Sequence, residues 1–136
     1  MPEPFHTTRR IEFADTDMAG IVHFANFFRF MEAAEVEFLR SRGLTVAMIW
    51  EGQRIGLPRV SASCDFLSPA TFQDVLDIVV RVQSVGKKSI TYSFEFSKDA
   101  KPVAKGQVTS VCCKVAGDHR LESMEIPATF RAKLEA

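Results

Sequence analysis

The fold is decided by residues 24–40, which read FANFFRFMEAAEVEFLR. Apolar side chains recur in this stretch at intervals of three and four residues, the spacing of one face of an α-helix. They are Phe24, Phe27, Phe28, Met31, Ala34 and Phe38. Gly43 follows at a position that suits the end of a helix. Because a helix this apolar must be covered by other parts of the chain, we expect it to lie against a sheet.

The remaining chain changes to the period of β-strands. Apolar and polar residues alternate strictly over residues 90–97 and more loosely over residues 76–83. Further strands are predicted for residues 7–13, 57–66 and 103–115. We also predict a hairpin connection at residues 86–88, a short helical piece at residues 46–50, and a short C-terminal helix that Pro127 opens. The predicted class is α+β, with an antiparallel sheet on one long helix and dimerisation by pairing of sheet edges.

Length and composition limit the possible classes of protein. The chain has 136 residues, 46% of them hydrophobic, and 17 Lys+Arg balance 17 Asp+Glu. These values predict one globular domain over residues 1–136 and disfavour disorder and general nucleic-acid binding. No apolar run approaches the roughly 20 residues that span a bilayer, and no signal peptide is recognisable. Cys64, Cys112 and Cys113 lack C-x-x-C spacing, which indicates reduced thiols in a cytoplasmic protein.

The loop before the long helix has residues suited to carbonyl chemistry. The first backbone N–H groups of a helix lack intrahelical partners and carry partial positive charge. They can therefore stabilise an oxyanion that forms on a carbonyl oxygen. Asp17 stands a few residues upstream and can present its carboxylate to the same carbonyl carbon, while Gly20 permits close backbone approach.

A second interpretation of the same loop requires no chemistry. Asp15, Thr16 and Asp17 are residues that turn a chain and cap a helix. Two aspartates around a threonine also occur at metal sites, but nothing nearby completes a ligand set, so no metal is predicted. The sequence has no Gly-rich phosphate-binding pattern that would suggest a nucleotide cofactor.

Arg10-Ile11-Glu12-Phe13, followed by Asp15-x-Asp17-x-Ala19-Gly20-Ile21-Val22 and Asn26, resembles the hotdog-fold acyl-CoA thioesterases of the 4-hydroxybenzoyl-CoA thioesterase type. Weaker matches occur at residues 74–76, 87–89 and 125–128. The resemblance implies a curved antiparallel sheet around a long central helix, with subunits assembled into dimers or tetramers. It also implies hydrolysis of an acyl-CoA to the free acid and coenzyme A, with no metal or other cofactor and neither nucleic acid nor membrane as partner.

Carried over residue by residue, the resemblance assigns the essential carboxylate to Asp17, acting as nucleophile or as general base. The oxyanion donor falls on the backbone amide of Phe24, with His23 beside it. Some relatives carry a histidine one position later, where this chain has Phe24. Coenzyme A leaves readily as a thiolate, so the chemistry requires no strong general acid.

Four residues are predicted to bind substrate. Gly20 permits close approach at the loop, and the resemblance implies that Lys87 and Lys88 contact the phosphates of coenzyme A from their hairpin. Arg59, at the start of a strand, is a further candidate. The alternative for the lysines is a solvated turn.

Other assignments stay open at this level. A second group of hotdog thioesterases carries its catalytic carboxylate inside the central helix, where this chain has Glu32 and Glu35. Glu35 can instead pair with Arg29 or Arg59, including across a subunit interface. The chain can also act on an acyl carrier protein thioester, or be a non-catalytic domain that binds acyl-CoA.

Overall fold

The fold is described by a computed structural model for residues 3–136, which contain two helices, nine strands and two short 3₁₀ turns. The helices are α1 (Asn26–Ser41) and α2 (Ala128–Glu135). The strands are β1 (Phe5–Arg10), β2 (Ala47–Trp50), β3 (Gln53–Gly56), β4 (Arg59–Phe66), β5 (Val75–Val85), β6 (Ser89–Lys98), β7 (Lys101–Val111), β8 (Cys113–Val115) and β9 (Leu121–Ser123). The α+β class predicted from the sequence is confirmed.

Five strands form the larger sheet, in the order β1-β5-β6-β7-β4, and every neighbouring pair is antiparallel. The predicted alternation is confirmed most clearly in β6, where one face is buried and the other is half-buried or exposed. Its buried residues are Ile90, Tyr92, Phe94 and Phe96. The hairpin at residues 86–88 joins β5 to β6 as expected.

Helix α1 lies against the buried face of this sheet and has 16 residues, a length of about 24 Å. The ring centroids of Phe27 and Phe96 are 5.4 Å apart, and those of Phe38 and Tyr92 are 6.0 Å apart. A Cβ added at Gly106 would lie 2.3 Å from the sulfur of Met31. The absence of a side chain at this position of β7 therefore lets the helix approach the sheet closely.

The short helical piece predicted for residues 46–50 is wrong, because β2 occupies this segment and pairs with β3. Four residues are too few for their spacing to separate a helical turn from a strand. The half-buried side chains of Met48 and Trp50 alternate with exposed Ala47 and Ile49. Pairing with β3, which lies next in the chain, decides the conformation.

The single long strand predicted for residues 103–115 is also wrong, because the chain changes sheets at Cys112. The Cys112 N–H donates to the Lys88 carbonyl, and its own carbonyl accepts from Met124. The following strand, β8, belongs to a second sheet in the order β2-β3-β8-β9. The strand predicted over residues 7–13 likewise ends at Arg10, and a 3₁₀ turn follows.

Strand β4 forms one edge of the five-stranded sheet and is open to solvent along nearly its whole length. Its exposed residues include Val60, of which 62% is accessible. The predicted C-terminal helix is confirmed as α2, directly after Pro127, and buries Phe130 and Leu134. Neither helix of residues 3–136 has the length and apolar character to cross a membrane.

Candidate active site

Asp17 opens a tight turn between the end of β1 and the start of α1. The Gly20 N–H donates to the Asp17 carbonyl at 2.9 Å, and the Asp17 N–H donates to the carbonyl of Ile21 at 2.8 Å. Gly20 has a φ of +83°, a conformation that favours glycine. Within the carboxylate, Oδ1 accepts from the Ala19 N–H at 2.9 Å. The turn thus orients the Asp17 side chain through one oxygen and leaves the other without a partner in the described chain.

The other loop aspartate, Asp15, supports this turn. Its buried carboxylate accepts from the Glu12 N–H at 2.8 Å. Its carbonyl accepts from the His23 N–H and from the side-chain amide of Asn26, both at 2.9 Å. Asp15 therefore ties the loop to the first residue of α1. Sequence reasoning did not assign this role to Asp15 or Asn26, although both belong to the quoted motif.

The turn that leads into α1 has one backbone N–H group without an acceptor among the described residues. The N–H groups of His23, Ala25 and Asn26 each donate a hydrogen bond within the chain. Of the four successive amides from residue 23, only that of Phe24 has no acceptor within residues 3–136. A free N–H with the partial positive charge of a helix start is suited to bind a carbonyl oxygen as it gains negative charge.

His23 lies at the helix start with an exposed imidazole. Its Nδ1 accepts from the Ala25 N–H at 3.2 Å, and its ring stacks on that of Phe24 at 4.9 Å. With Nδ1 as an acceptor, neutral His23 carries its proton on Nε2. The imidazole thus helps to arrange the turn in which the free amide of Phe24 lies.

An apolar cavity of about 400 Å³ opens beside Phe24. Its lining includes Phe27 from α1, Phe66 from the end of β4, and Leu67 with Pro69 from the loop that follows. The ring centroid of Phe66 lies 6.2 Å from that of Phe24 and 5.5 Å from that of Phe27. Sequence reasoning missed Phe66 and Leu67, because it placed them at a strand end about 40 residues from the loop.

Glu32 and Glu35, the carboxylates of α1 that were alternatives to Asp17, lie away from the free amide of Phe24. Glu35 is buried, and its Oε1 accepts from Arg59 at 3.1 Å from Nε and 2.7 Å from Nη2. Glu32 is exposed and lies 3.7 Å from another nitrogen of Arg59. Glu35 follows Phe24 by eleven residues, about 16 Å along a helix axis. One carbonyl group cannot contact both the Phe24 amide and the Glu35 carboxylate.

The guanidinium of Arg59, a candidate for binding substrate, is thus engaged by Glu35 and Glu32 within the same chain. Burial raises the pKa of Glu35, while the hydrogen bonds and charge of Arg59 act in the opposite direction. Oε2 of Glu35 and the hydroxyls of Tyr92 and Ser110 are buried without hydrogen-bond partners in the described residues. These three buried groups belong to α1, β6 and β7.

The raised pKa of Glu35 predicts a dependence of stability on pH. The folded chain holds the Glu35 proton more tightly than the unfolded chain does. Protonated Glu35 therefore contributes to the free energy of unfolding. This contribution is fully present below the unfolded pKa of about 4.3 and is lost as the pH rises through the folded pKa. We expect the melting temperature of the wild type, minus that of Glu35→Gln, to fall as the pH rises above the unfolded pKa of about 4.3. A difference that grows with pH would mean that Arg59 outweighs burial.

Lys87 and Lys88 lie far from Asp17 within one chain. Val75, the first residue of β5, pairs with Arg10 next to the Asp17 loop, and the lysines follow the last residue of the same strand. Eleven residues of strand span about 33 Å between first and last. Lys87 lies 3.6 Å from Glu125, with both side chains exposed. Within one chain, Asp17, Gly20, His23 and Phe24 therefore lie on the same short loop before α1, and the two lysines lie at the other end of β5.

The chain matches the model of the thioesterase-like superfamily over residues 11–134. It is 31% identical over 129 residues to 4-hydroxybenzoyl-CoA thioesterase from Pseudomonas sp. (strain CBS-3), covering 90% of this chain and 91% of that protein. It is 33% identical over 114 residues to 1,4-dihydroxy-2-naphthoyl-CoA hydrolase from Synechococcus sp. (strain RCC307), covering 81% and 86% of the two chains. The solved structure of a 1,4-dihydroxy-2-naphthoyl-CoA thioesterase from Synechocystis matches with a TM-score of 0.85 and 26% identity, covering 97% of this chain and 96% of that one.

Proposed function

Because the chain belongs to the thioesterase-like superfamily and is an enzyme of the thioesterase class, we propose that it hydrolyses an acyl-CoA at the Asp17 loop. The resemblance to hotdog thioesterases drawn from the sequence is confirmed. The observation that carries the proposal is a carboxylate with a free oxygen on the same short loop as the unpaired Phe24 amide. The two relatives reported above are named for acyl-CoA substrates, which favours hydrolysis over non-catalytic binding.

Asp17 promotes attack on the thioester carbon by one of two routes. As a nucleophile, its carboxylate forms a bond to the thioester carbon, the C–S bond breaks with departure of the coenzyme A thiolate, and water then hydrolyses the mixed anhydride. As a general base, it takes a proton from a water molecule, whose oxygen attacks the same carbon. The hydrogen bond from Ala19 fixes the carboxylate orientation for both routes.

In both routes the carbonyl oxygen gains negative charge when the tetrahedral intermediate forms. The Phe24 N–H is the donor that binds this oxygen, assisted by the partial positive charge of the α1 start. His23 and Asn26 hold the helix start in place, through Ala25 and through the Asp15 carbonyl. The thiolate of coenzyme A leaves without a proton from the protein.

We propose a homo-oligomer in which two β4 strands pair across a two-fold axis. Strand β4 is an exposed edge, and such edges are frequent sites of pairing. Antiparallel pairing places the Arg59 end of one β4 beside the Phe66 end of the other. The Lys87 hairpin of the second protomer then lies at the same end of the assembly as Asp17 of the first protomer. It is three to four strand spacings, or about 17 Å, from the first protomer's β4.

Replacement of Lys87 or Lys88 tests this arrangement. We expect Lys87→Ala and Lys88→Ala to raise KM for acyl-CoA several-fold with little loss of kcat, because a remote phosphate contact contributes to binding of ground state and transition state alike. The control is Lys114→Ala, an exposed lysine on β8. A pure loss of kcat, or a stable monomer at micromolar concentration in sedimentation, would contradict the arrangement.

The activity itself is tested by free-thiol release from short-chain, long-chain and aromatic acyl-CoAs. We expect turnover of at least one class by the wild-type protein. Tight binding of acyl-CoA without any release of thiol would identify a binding domain instead. Hydrolysis confined to thioesters of an acyl carrier protein would keep the enzyme class and correct the substrate.

A further inference from the structure

The cavity beside Phe24 is connected directly to the proposed oxyanion site. Phe24 contributes its ring to the cavity lining and its free N–H to the helix start. The Val22 N–H donates to the Ala70 carbonyl at 2.8 Å, which attaches the Asp17 loop to the opposite wall. A carbonyl oxygen bound to the Phe24 N–H would therefore lie next to the cavity that this residue lines.

The side chains that line the cavity offer almost no hydrogen bonding. Among the lining residues that residues 3–136 of one protomer contribute, only Ser68 is polar, and its hydroxyl donates to the Pro102 carbonyl at 2.7 Å. The N–H groups of Leu67 and Ser68 both donate to the Val103 carbonyl. A hydroxyl group on the substrate would lose bonds to water here and find no free donor among the lining side chains of the same protomer.

The mouth of the cavity exposes apolar surface. Phe24 is 60% accessible, Phe66 49% and Leu67 51%. Burial of such surface against an apolar ligand is favourable in proportion to the area removed from water. The mouth therefore favours a substrate that is apolar next to its thioester carbonyl.

From this lining we infer that the enzyme selects an apolar acyl group, an aliphatic chain or an unsubstituted phenyl group, over the same group carrying a hydroxyl. The inference rests on the proposed thioesterase function and specifies its substrate class. The inferred acyl group differs from those in the names of the two relatives reported above, which are hydroxylated and aromatic.

The test compares kcat/KM of the wild type for phenylacetyl-CoA and 4-hydroxyphenylacetyl-CoA. The methylene group separates ring and carbonyl, so the hydroxyl changes contacts in the cavity with little effect on thioester reactivity. We expect phenylacetyl-CoA to be preferred by about 10- to 100-fold, the range in which an apolar pocket discriminates against an added hydroxyl.

One variant of the cavity lining, compared with a control variant, tests whether this substrate preference depends on the cavity. Leu67→Asn places an amide of similar size in the lining and is expected to reduce the preference by about 10-fold. Leu121→Asn is the control, because Leu121 is similarly exposed, at 48%, but lies on β9 outside the cavity. The control is expected to retain the wild-type preference.

Each outcome decides one of the two proposals. Release of thiol from neither these two compounds nor any other acyl-CoA would overturn the proposed function, and the inference with it. Equal or faster turnover of the hydroxylated compound would overturn the inference and leave the function standing. A preference that Leu67→Asn and Leu121→Asn leave equally unchanged would place the acyl group outside this cavity and also overturn the inference.

Discussion

Asp17→Asn is expected to reduce kcat for acyl-CoA hydrolysis by about 10²- to 10⁴-fold, the contribution typical of a positioned carboxylate. The amide cannot attack the thioester carbon as a carboxylate does, nor accept a proton from water at neutral pH. Its carbonyl oxygen can still accept the hydrogen bond from Ala19, so the turn is retained. The variant therefore separates the chemistry of Asp17 from its structural role.

The matched control for this change is Asp118→Asn. Asp118 is an exposed aspartate with a φ of 61°, a conformation that asparagine also tolerates, in a 3₁₀ turn between β8 and β9. We expect this control to keep wild-type rates in the thiol-release assay. Circular dichroism and thermal melting are expected to show both variants folded. Activity that survives Asp17→Asn would transfer the chemistry to another carboxylate, with Glu32 and Glu35 tested next.

Arg59→Ala is expected to lower the free energy of unfolding by about 3 kcal/mol, the lower end of the cost of breaking a buried ion pair. The variant removes both hydrogen bonds to Oε1 of Glu35 and leaves this carboxylate buried. The lower end is chosen because 30% of the Arg59 side chain is accessible, so water can replace part of the interaction. Denaturation in urea at neutral pH measures the loss.

The cause of this loss is tested by removing both charges. We expect the double variant Arg59→Met, Glu35→Met to be more stable than Arg59→Ala, because no buried charge is left without a partner. Arg81→Ala is the control, since Arg81 forms an exposed pair with Glu95 at 3.5 Å and is expected to change stability by less than about 1 kcal/mol. A loss in Arg59→Ala no larger than in this control would show that the pair with Glu35 does not stabilise the fold.

The parts of the fold that the sequence predicted are those with long, regular patterns. The apolar spacing of residues 24–40 predicted α1 to within two residues at its start and one at its end, and strict alternation predicted β6. The second sheet was missed because β2, β3, β8 and β9 each have only three or four residues. Pairing between distant segments determines such strands, and their own side chains carry too short a pattern.

The candidate site was predictable where it depends on neighbouring residues. Asp17, Gly20 and the start of α1 belong to one short stretch, so residue types and the resemblance were sufficient to predict their grouping. The resemblance pointed to the Phe24 amide as the oxyanion donor, and the hydrogen bonds of His23, Ala25 and Asn26 show that this amide is the free one. The cavity wall depends on pairing of β4 with β7, which brings the segment after Phe66 to the loop.

The most direct test of the account is a crystal structure of Asp17→Asn with an unreacted acyl-CoA bound. We expect the thioester carbonyl oxygen within about 3 Å of the Phe24 nitrogen, the thioester carbon beside residue 17, and the acyl group in the cavity with Phe66. A thioester carbonyl bound away from the Phe24 amide, with its carbon next to Glu32 or Glu35, would contradict it.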